Sequence, residues 1–337
     1  MRINLVGFGV IGKGFAKTLI MKQDWLKSRY GFEPRVVSIS DLSGTLVNPG
    51  GIDLSATLET VNRTGRIIDC SGASGMQSLD AIRGVEADLM VEVTPTNVVT
   101  GEPGLSHMLT AMDAGKHVVT SNKGPLALAY KKLKAASEKK GVQFKFESSA
   151  GGAMPLINLA NEVLSGDEII SIKGILNGTT NFILTKMTKE GTDFETTLKE
   201  AQELGIAETD PSYDISGSDT ASKLVILTNA ILGREATYSD VSVQGITKIT
   251  PEAIALAKEE GFVIKLIGEV EDGRLSVAPQ LVPENHPLNV DGTLNVASFT
   301  TDLAGDVTIV GRGAGAIETN SAILSDILSI YRGVAGR

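Results

Sequence analysis

Several things are scarce in this chain. Only 4% of its 337 residues are aromatic, and it holds one cysteine and three histidines. So few aromatics leave no stacking platform for bases. A lone cysteine, Cys70, excludes an internal disulfide and any multi-cysteine zinc site. His107, His117 and His286 are scattered, so no histidine cluster is expected to bind a metal. Basic charge is also short: the formal net charge is −9 and no Lys/Arg stripe appears, which argues against a nucleic-acid partner. No apolar run reaches the roughly 18 residues of a membrane span, so no membrane partner is expected. The N-terminus, MRINLVGFG, reads as the start of a strand and not as a signal peptide. A cytoplasmic protein fits this set of absences.

What is present is an ordinary globular balance, 42% hydrophobic and 21% charged. The length exceeds what one core usually organises, so two domains are the default. The first announces itself at once. Arg2 to Val6 is a short apolar strand, Gly7-Phe8-Gly9-Val10-Ile11-Gly12 follows, and residues 13–21 continue at helical spacing. This is G-x-G-x-x-G between a strand and a helix, the setting a dinucleotide requires. The first glycine permits the tight turn, the second lets a pyrophosphate approach the backbone, and the third lets helix and strand pack. Further strands are expected at 35–40, 89–93, 117–120 and 142–146, with helices at 104–114 and 126–140, an alternation that predicts a doubly wound, mostly parallel sheet. Asp41 closes the second strand, farther from the glycines than the ~20 residues usual for a ribose-binding acid, yet well placed to bond the 2′-hydroxyl. That leans towards NAD and leaves NADP open. Thr94-Pro-Thr96 and Ser121-Asn-Lys123-Gly-Pro follow later strands at their C-terminal ends, where open α/β sheets bind ligands. Lys123 there either approaches nicotinamide or substrate, or is a solvated loop lysine.

The richest segment runs from Glu203 to Lys223, ELGIAETDPSYDISGSDTASK. It holds five carboxylates, Glu203, Glu208, Asp210, Asp214 and Asp219, ahead of a lysine. A helix starting near Ser218 puts Asp219 and Lys223, four apart, on one face. A carboxylate cluster facing one ammonium can bind a cationic amine and hold a proton donor. The plainer reading is a solvated acidic loop capping a helix, with Ser216 or Ser218 as N-cap. Two glycine turns precede it: Glu147-Ser-Ser-Ala150-Gly-Gly152-Ala-Met154-Pro, and Asn177-Gly-Thr179-Thr-Asn181, where Thr179 can cap a helix. Gly311-Arg-Gly-Ala-Gly315 and a helix from about 319 to 331 close the chain.

In this order, G-F-G-V-I-G, T-P-T, S-N-K-G-P, A-G-G-A-M-P-L-I, G-I-L-N-G-T-T-N, the 203–223 block and the final G-x-G-A-G together resemble the homoserine dehydrogenase family over nearly the whole chain. The resemblance implies reversible reduction of aspartate 4-semialdehyde to homoserine with NAD or NADP, a step of threonine, methionine and isoleucine biosynthesis. It makes Lys223 the general acid/base and Lys123 a second active-site lysine, with Glu208 and Asp219 in the substrate site and Asp214 beside them. It assigns Phe8, Val10, Ile11, Thr94, Ser121, Gly205 and Gly315 to cofactor contacts. It places a monovalent cation, sodium, on the backbone carbonyls of Glu147, Ala150, Gly152 and Met154, and it implies a homodimer. The chain resembles the short form, without an aspartokinase or ACT domain.

The fold expected is α/β: a Rossmann-type doubly wound parallel sheet over 1–135, completed by 305–337, and an α+β substrate and dimerisation domain with a mixed sheet over 136–304. Strands in the latter are expected near 171–176, 241–243, 264–270, 275–282 and 295–300. Cys70, with no histidine beside it, reads as a packed thiol; an acyl-phosphate-reducing enzyme would need a nucleophilic one. A different amino-acid aldehyde or imine dehydrogenase lacks a reason for N-G-T-T-N beside the 203–223 block. A silent dinucleotide-sensing protein would have lost Lys223 or its carboxylates.

Overall fold

The computed structural model of the chain describes residues 1–335. They form two compact units, one of Met1–Ser149 with the segment from Ala316 onward, the other of Ala150–Gly315. The sequence-based boundaries at 135 and 305 fall elsewhere. Residue 135 lies inside a helix, and the strand at 306–312 hydrogen-bonds into the second sheet.

The first unit opens with β1 (Arg2–Val6), α1 (Val10–Tyr30), β2 (Arg35–Asp41), β3 (Gly44–Val47), α2 (Leu54–Thr64), β4 (Ala73–Ser74) and α3 (Ser78–Gly84). It continues through β5 (Leu89–Glu92), α4 (Gly104–Asp113), β6 (His117–Thr120), α5 (Lys123–Lys140) and β7 (Phe144–Lys145). The seven strands lie in the order β4-β3-β2-β1-β5-β6-β7. From β2 to β7 all pairings are parallel, whereas β2–β3 and β3–β4 are antiparallel. That antiparallel edge was not expected from the sequence, because β3 and β4 are too short to show a period. The parallel strands are buried on both faces and so read as continuous apolar runs. On α1, Phe15, Ala16, Leu19 and Leu26 recur at helical spacing. They bury against the β1 side chains Ile3 and Leu5 and against Ile323 and Ile327 of the C-terminal helix. Each of the larger side chains contributes about 1.5–3 kcal/mol of burial energy, and the Ala16 methyl less. Cys70 belongs to this core, and burial raises its thiol pKa, as expected of a packing residue.

The second unit comprises α6 (Leu156–Asn158), β8 (Ile169–Ile175), α7 (Gly178–Glu190), α8 (Phe194–Glu203), α9 (Ser212–Ile215), α10 (Ser218–Ile231), β9 (Val241–Val243) and α11 (Pro251–Glu259). Four long strands follow: β10 (Phe262–Glu271), β11 (Arg274–Pro283), β12 (Leu294–Thr301) and β13 (Asp306–Arg312). Its sheet runs β13-β12-β8-β10-β11-β9, with β9–β11 parallel and every other pairing antiparallel, hence mixed as expected. Beyond it α12 (Ala316–Ala335) belongs to the first unit. Helix α10 lies on this sheet at one narrow place. A Cβ added to Gly268 of β10 would stand 2.9 Å from Thr220 Cγ2, so the glycine is what lets the helix approach.

Candidate active site

The first unit presents three loops at the C-terminal edge of its parallel strands. The chain leaves β1 for β2 on one side and resumes with β5 on the other, so the order reverses between β1 and β5, the usual crevice for a ligand. Gly7 turns there at φ 100°, and a Cβ on it would meet the Val93 carbonyl carbon and oxygen at 2.6 Å. A Cβ on Gly12 would meet the Gly7 oxygen at 2.1 Å. These two glycines therefore close the turn. Gly9 differs: as the N-cap of α1 it makes no side-chain cap, and nothing lies within 4 Å of where its Cβ would stand. Open space in front of unsatisfied helix-start N–H groups suits a pyrophosphate, so these residues fit a dinucleotide. Around them Phe8 is buried, Val10 exposed and Ile11 half-buried.

The loop after β5 is held from below. Glu92, fully buried at the strand's end, accepts from Thr94 N at 3.1 Å and from the Thr94 hydroxyl, while its other oxygen accepts from Thr120 Oγ1 at 3.0 Å. His107 Nδ1 lies 3.8 Å from the same carboxylate, and its Nε2 pairs with Ser78 Oγ at 2.7 Å. Asn122 Nδ2 donates to the Thr94 carbonyl at 3.3 Å, tying this loop to the one carrying Ser121 and Lys123. Lys123 is the first residue of α5 and half-buried, so the solvated-loop reading does not apply to it. Glu92 was missed from sequence. The one signal was a lone acid closing an apolar strand.

Asp41 ends β2 as expected, and its carboxylate is occupied. Oδ1 accepts from Ser43 N at 2.7 Å and Ser43 Oγ at 2.5 Å, and Oδ2 from Ile67 N at 3.0 Å. It braces the β2–β3 turn whatever else it does.

The second unit assembles the acidic block. Helix α10 begins at Ser218 with Gly217 as N-cap in the left-handed region, φ 87°, so neither Ser216 nor Ser218 caps it. The backbone turn needs φ > 0, which glycine adopts without cost. From this start Asp219 and Lys223 fall on one face, with Asp219 Oδ2 2.8 Å from Lys223 Nζ, both nearly buried. Lys223 Nζ also donates to the Leu176 carbonyl at 2.6 Å. Asn177 follows Leu176 and, not Thr179, caps α7: its Oδ1 accepts from Thr180 N at 2.9 Å. Its Nδ2 donates to Asp214 Oδ1 at 2.8 Å and to Asp219 Oδ2 at 2.9 Å. Asp214, Asn177, Asp219 and Lys223 are thus one network. Sequence reasoning singled out N-G-T-T-N but not Asn177; an Asn before Gly-Thr-Thr is an N-cap signal that was there to be read. The solvated-loop reading fails for Asp219 and Lys223, since a solvated face does not bury an ion pair.

Glu208 stands apart. Its side chain is exposed on the loop after α8, outside this network, and its carbonyl accepts from Gln202 Nε2 at 3.1 Å. Gly205, at φ 69°, and Gly315, at φ 125°, are exposed turn residues of the second unit. Of the carbonyl set, Glu147 belongs to the first unit and Ala150, Gly152 and Met154 to the second. Gly152 turns at φ 60°, and the Met154 carbonyl accepts from Leu156 N at 2.9 Å. Among the described residues no group of three or more His, Cys, Asp or Glu side chains gathers as metal ligands, and no helix is long and apolar enough to cross a membrane.

One more charge was missed. Lys265, only 2% exposed, donates to Asn181 Oδ1 at 3.0 Å, Thr185 Oγ1 at 3.2 Å and the Val290 carbonyl at 2.7 Å. Burial pulls its pKa down to about 8, against the weaker opposing pull of Asp291. It ties α7, whose first turn Asn177 caps, to β10.

The sequence profile of the homoserine dehydrogenase NAD-binding domain matches residues 7–147, and that of homoserine dehydrogenase matches residues 155–328. The chain is 58% identical over 332 residues to homoserine dehydrogenase from Methanocaldococcus jannaschii, covering 98% of each. Its fold superposes on the crystal structure of a putative homoserine dehydrogenase from Archaeoglobus fulgidus with a TM-score of 0.92 at 43% identity, covering 98% of this chain and 99% of the other. It also superposes on a hyperthermophilic archaeal homoserine dehydrogenase mutant in complex with NADPH, with a TM-score of 0.86 at 30% identity and 98% of each chain covered. With family matches over both units and a relative 58% identical over 98% of the chain, the chain belongs to the homoserine dehydrogenase family.

Proposed function

We propose that this chain interconverts L-aspartate 4-semialdehyde and L-homoserine with NAD or NADP, and that Lys223 moves the proton. The observation that carries the proton-transfer role is the buried Lys223 ammonium, held at 2.8 Å by Asp219 and at 2.6 Å by the Leu176 carbonyl. The nicotinamide cofactor, when bound, donates or accepts the hydride. In reduction, charge develops on the former aldehyde oxygen as the carbonyl π pair moves onto it, and Lys223 supplies the proton that makes the hydroxyl. In oxidation the neutral amine takes that proton back. Asp219 beside Lys223 favours its charged form, and burial favours the neutral one.

The remaining assignments divide by chemistry. The substrate's α-ammonium suits Glu208 and the Asp214 side of the network, and its carboxylate suits Lys123. Residues 7–12, Thr94, Ser121, Gly205 and Gly315 are assigned to the cofactor, with the open space at Gly9 supporting the pyrophosphate's place. Asp41 retains one acceptor position beyond its three bonds, enough for one ribose hydroxyl. A sodium ion on the carbonyls of Glu147, Ala150, Gly152 and Met154 belongs to the same reading. It is supported by the tight turn at Gly152 and by the second lone pair left on the Met154 oxygen. So do a cytoplasmic place, a role in threonine, methionine and isoleucine biosynthesis, and a homodimer, which a solution mass of twice the 35.4 kDa chain would support.

The test is direct. L-Homoserine is mixed with the protein and each cofactor in turn, at alkaline pH with sodium present, and reduced nicotinamide is followed by absorbance. Signal with at least one cofactor is expected; silence with both refutes the activity.

A further inference from the structure

We infer that Asn177 is a positioning residue for proton transfer: its side-chain amide holds Asp214 and Asp219 together and thereby sets the direction of the Lys223 ammonium. The inference rests on the role proposed for Lys223. Asn177 is 5% exposed, and its hydrogen-bonding capacity is filled. Oδ1 accepts from Thr180 N at 2.9 Å and Thr180 Oγ1 at 3.1 Å, while the two Nδ2 protons go to Asp214 Oδ1 at 2.8 Å and Asp219 Oδ2 at 2.9 Å. The Asp219 oxygen that takes one of them is the oxygen that faces Lys223 Nζ. Residues 176 and 177 therefore grip Lys223 twice, directly through the Leu176 carbonyl and indirectly through the Asn177 amide and Asp219.

The residue type carries the argument. As helix caps Asn, Asp and Ser are nearly equivalent, so starting α7 does not require asparagine. Bridging two carboxylates does. Only a neutral amide offers two donors to two acids while its own oxygen caps a helix. An aspartate here would aim a third negative charge at the pair, and a serine would cap the helix but carry one short donor. The charged groups on the network include Asp214 from α9 and Asp219 and Lys223 from α10. Beside them the Tyr213 hydroxyl pairs with Ser222 Oγ at 2.6 Å. Asn177 touches no reacting atom in this arrangement and acts through Asp219.

Two variants separate cap from bridge. Asn177→Ser keeps the cap, so the thermal midpoint should stay within about 3 °C of the parent, the range of a small change in capping energy. Its kcat should fall tenfold or more, on the order of a lost charge-assisted hydrogen bond, with cofactor Kd unchanged. Asn177→Asp keeps cap and shape but adds a like charge. Its kcat–pH profile for homoserine oxidation should rise along a limb displaced upward by about one pH unit or more, because the extra carboxylate holds the Lys223 proton. A carboxylate this close to the ammonium shifts the limb whatever the native role of residue 177, so it is Asn177→Ser that separates bridge from cap. Asn177→Ser decides: a kcat lowered about tenfold or more at an unchanged thermal midpoint and cofactor Kd supports the inference, and a kcat within about threefold of the parent overturns it, as does an Asn177→Asp limb that does not move. Lys223→Ala is measured alongside. Retained turnover there removes the acid/base role and this inference with it, whereas a dead Lys223→Ala beside an unmoved Asn177→Asp limb removes this inference alone.

Discussion

Lys265→Met isolates the cost of one buried charge. In the folded chain burial lowers the Lys265 pKa from its ordinary value near 10.5 to about 8, with the Asp291 carboxylate, 3.9 Å away, opposing the shift weakly. Between these two values the unfolded chain binds the Lys265 proton and the folded chain has released it. Stability therefore rises with pH across the window, and the penalty is fully present below about 8 and gone above about 10.5. A pKa difference of about 2.5 corresponds to about 3 kcal/mol, of which about 2 kcal/mol should be recovered between pH 7 and pH 9.5. Methionine has a similar volume and no charge, so the variant lacks this slope. It also leaves the acceptors on Asn181, Thr185 and Val290 without their donor, a loss that does not vary with pH. Urea unfolding of both proteins at pH 7 and 9.5 cancels every other titration common to them. The stability of the parent relative to Lys265→Met should climb by about 2 kcal/mol over that interval. A difference that stays flat would falsify the claim that Lys265 is folded around as a charged, desolvated group.

Three further outcomes concern the site. Lys223→Ala should lower kcat by about two to four orders of magnitude while cofactor binding, read by nucleotide fluorescence, persists; near-normal turnover would remove the acid/base role. Glu208→Gln should chiefly raise KM for homoserine with kcat little changed, because its exposed carboxylate lies outside the Lys223 network. An unaltered KM would take Glu208 out of the substrate site. Asp41→Ala should reduce kcat/KM with NAD relative to NADP; a constant ratio would leave Asp41 as the brace of the β2–β3 turn alone.

How far the sequence could be read depended on the range of the interactions concerned. The Gly7–Gly12 turn, the parallel strands and the face shared by Asp219 and Lys223 follow from spacing over a few residues, and the structure has each of them. The start of α10 at Ser218 was legible, but its cap was not: Gly217 caps it through backbone conformation, while the sequence offered two serines with better side chains for the task. The antiparallel edge of β3 and β4 carries too few residues to show a period.

By itself, then, the order of residues determined the fold class, the cofactor turn and the pairing of one carboxylate with one lysine, since all of these are settled by local geometry and by continuous apolar runs. Only tertiary structure decided which polar side chains are buried together. Asn177 and Asp219 lie 42 positions apart, Glu92 and Thr120 lie 28, and Lys265 and Asn181 lie 84. No local pattern foretells such contacts. They exist because a buried polar group must find a partner, and the partner is whichever element the sheet brings within about 3 Å.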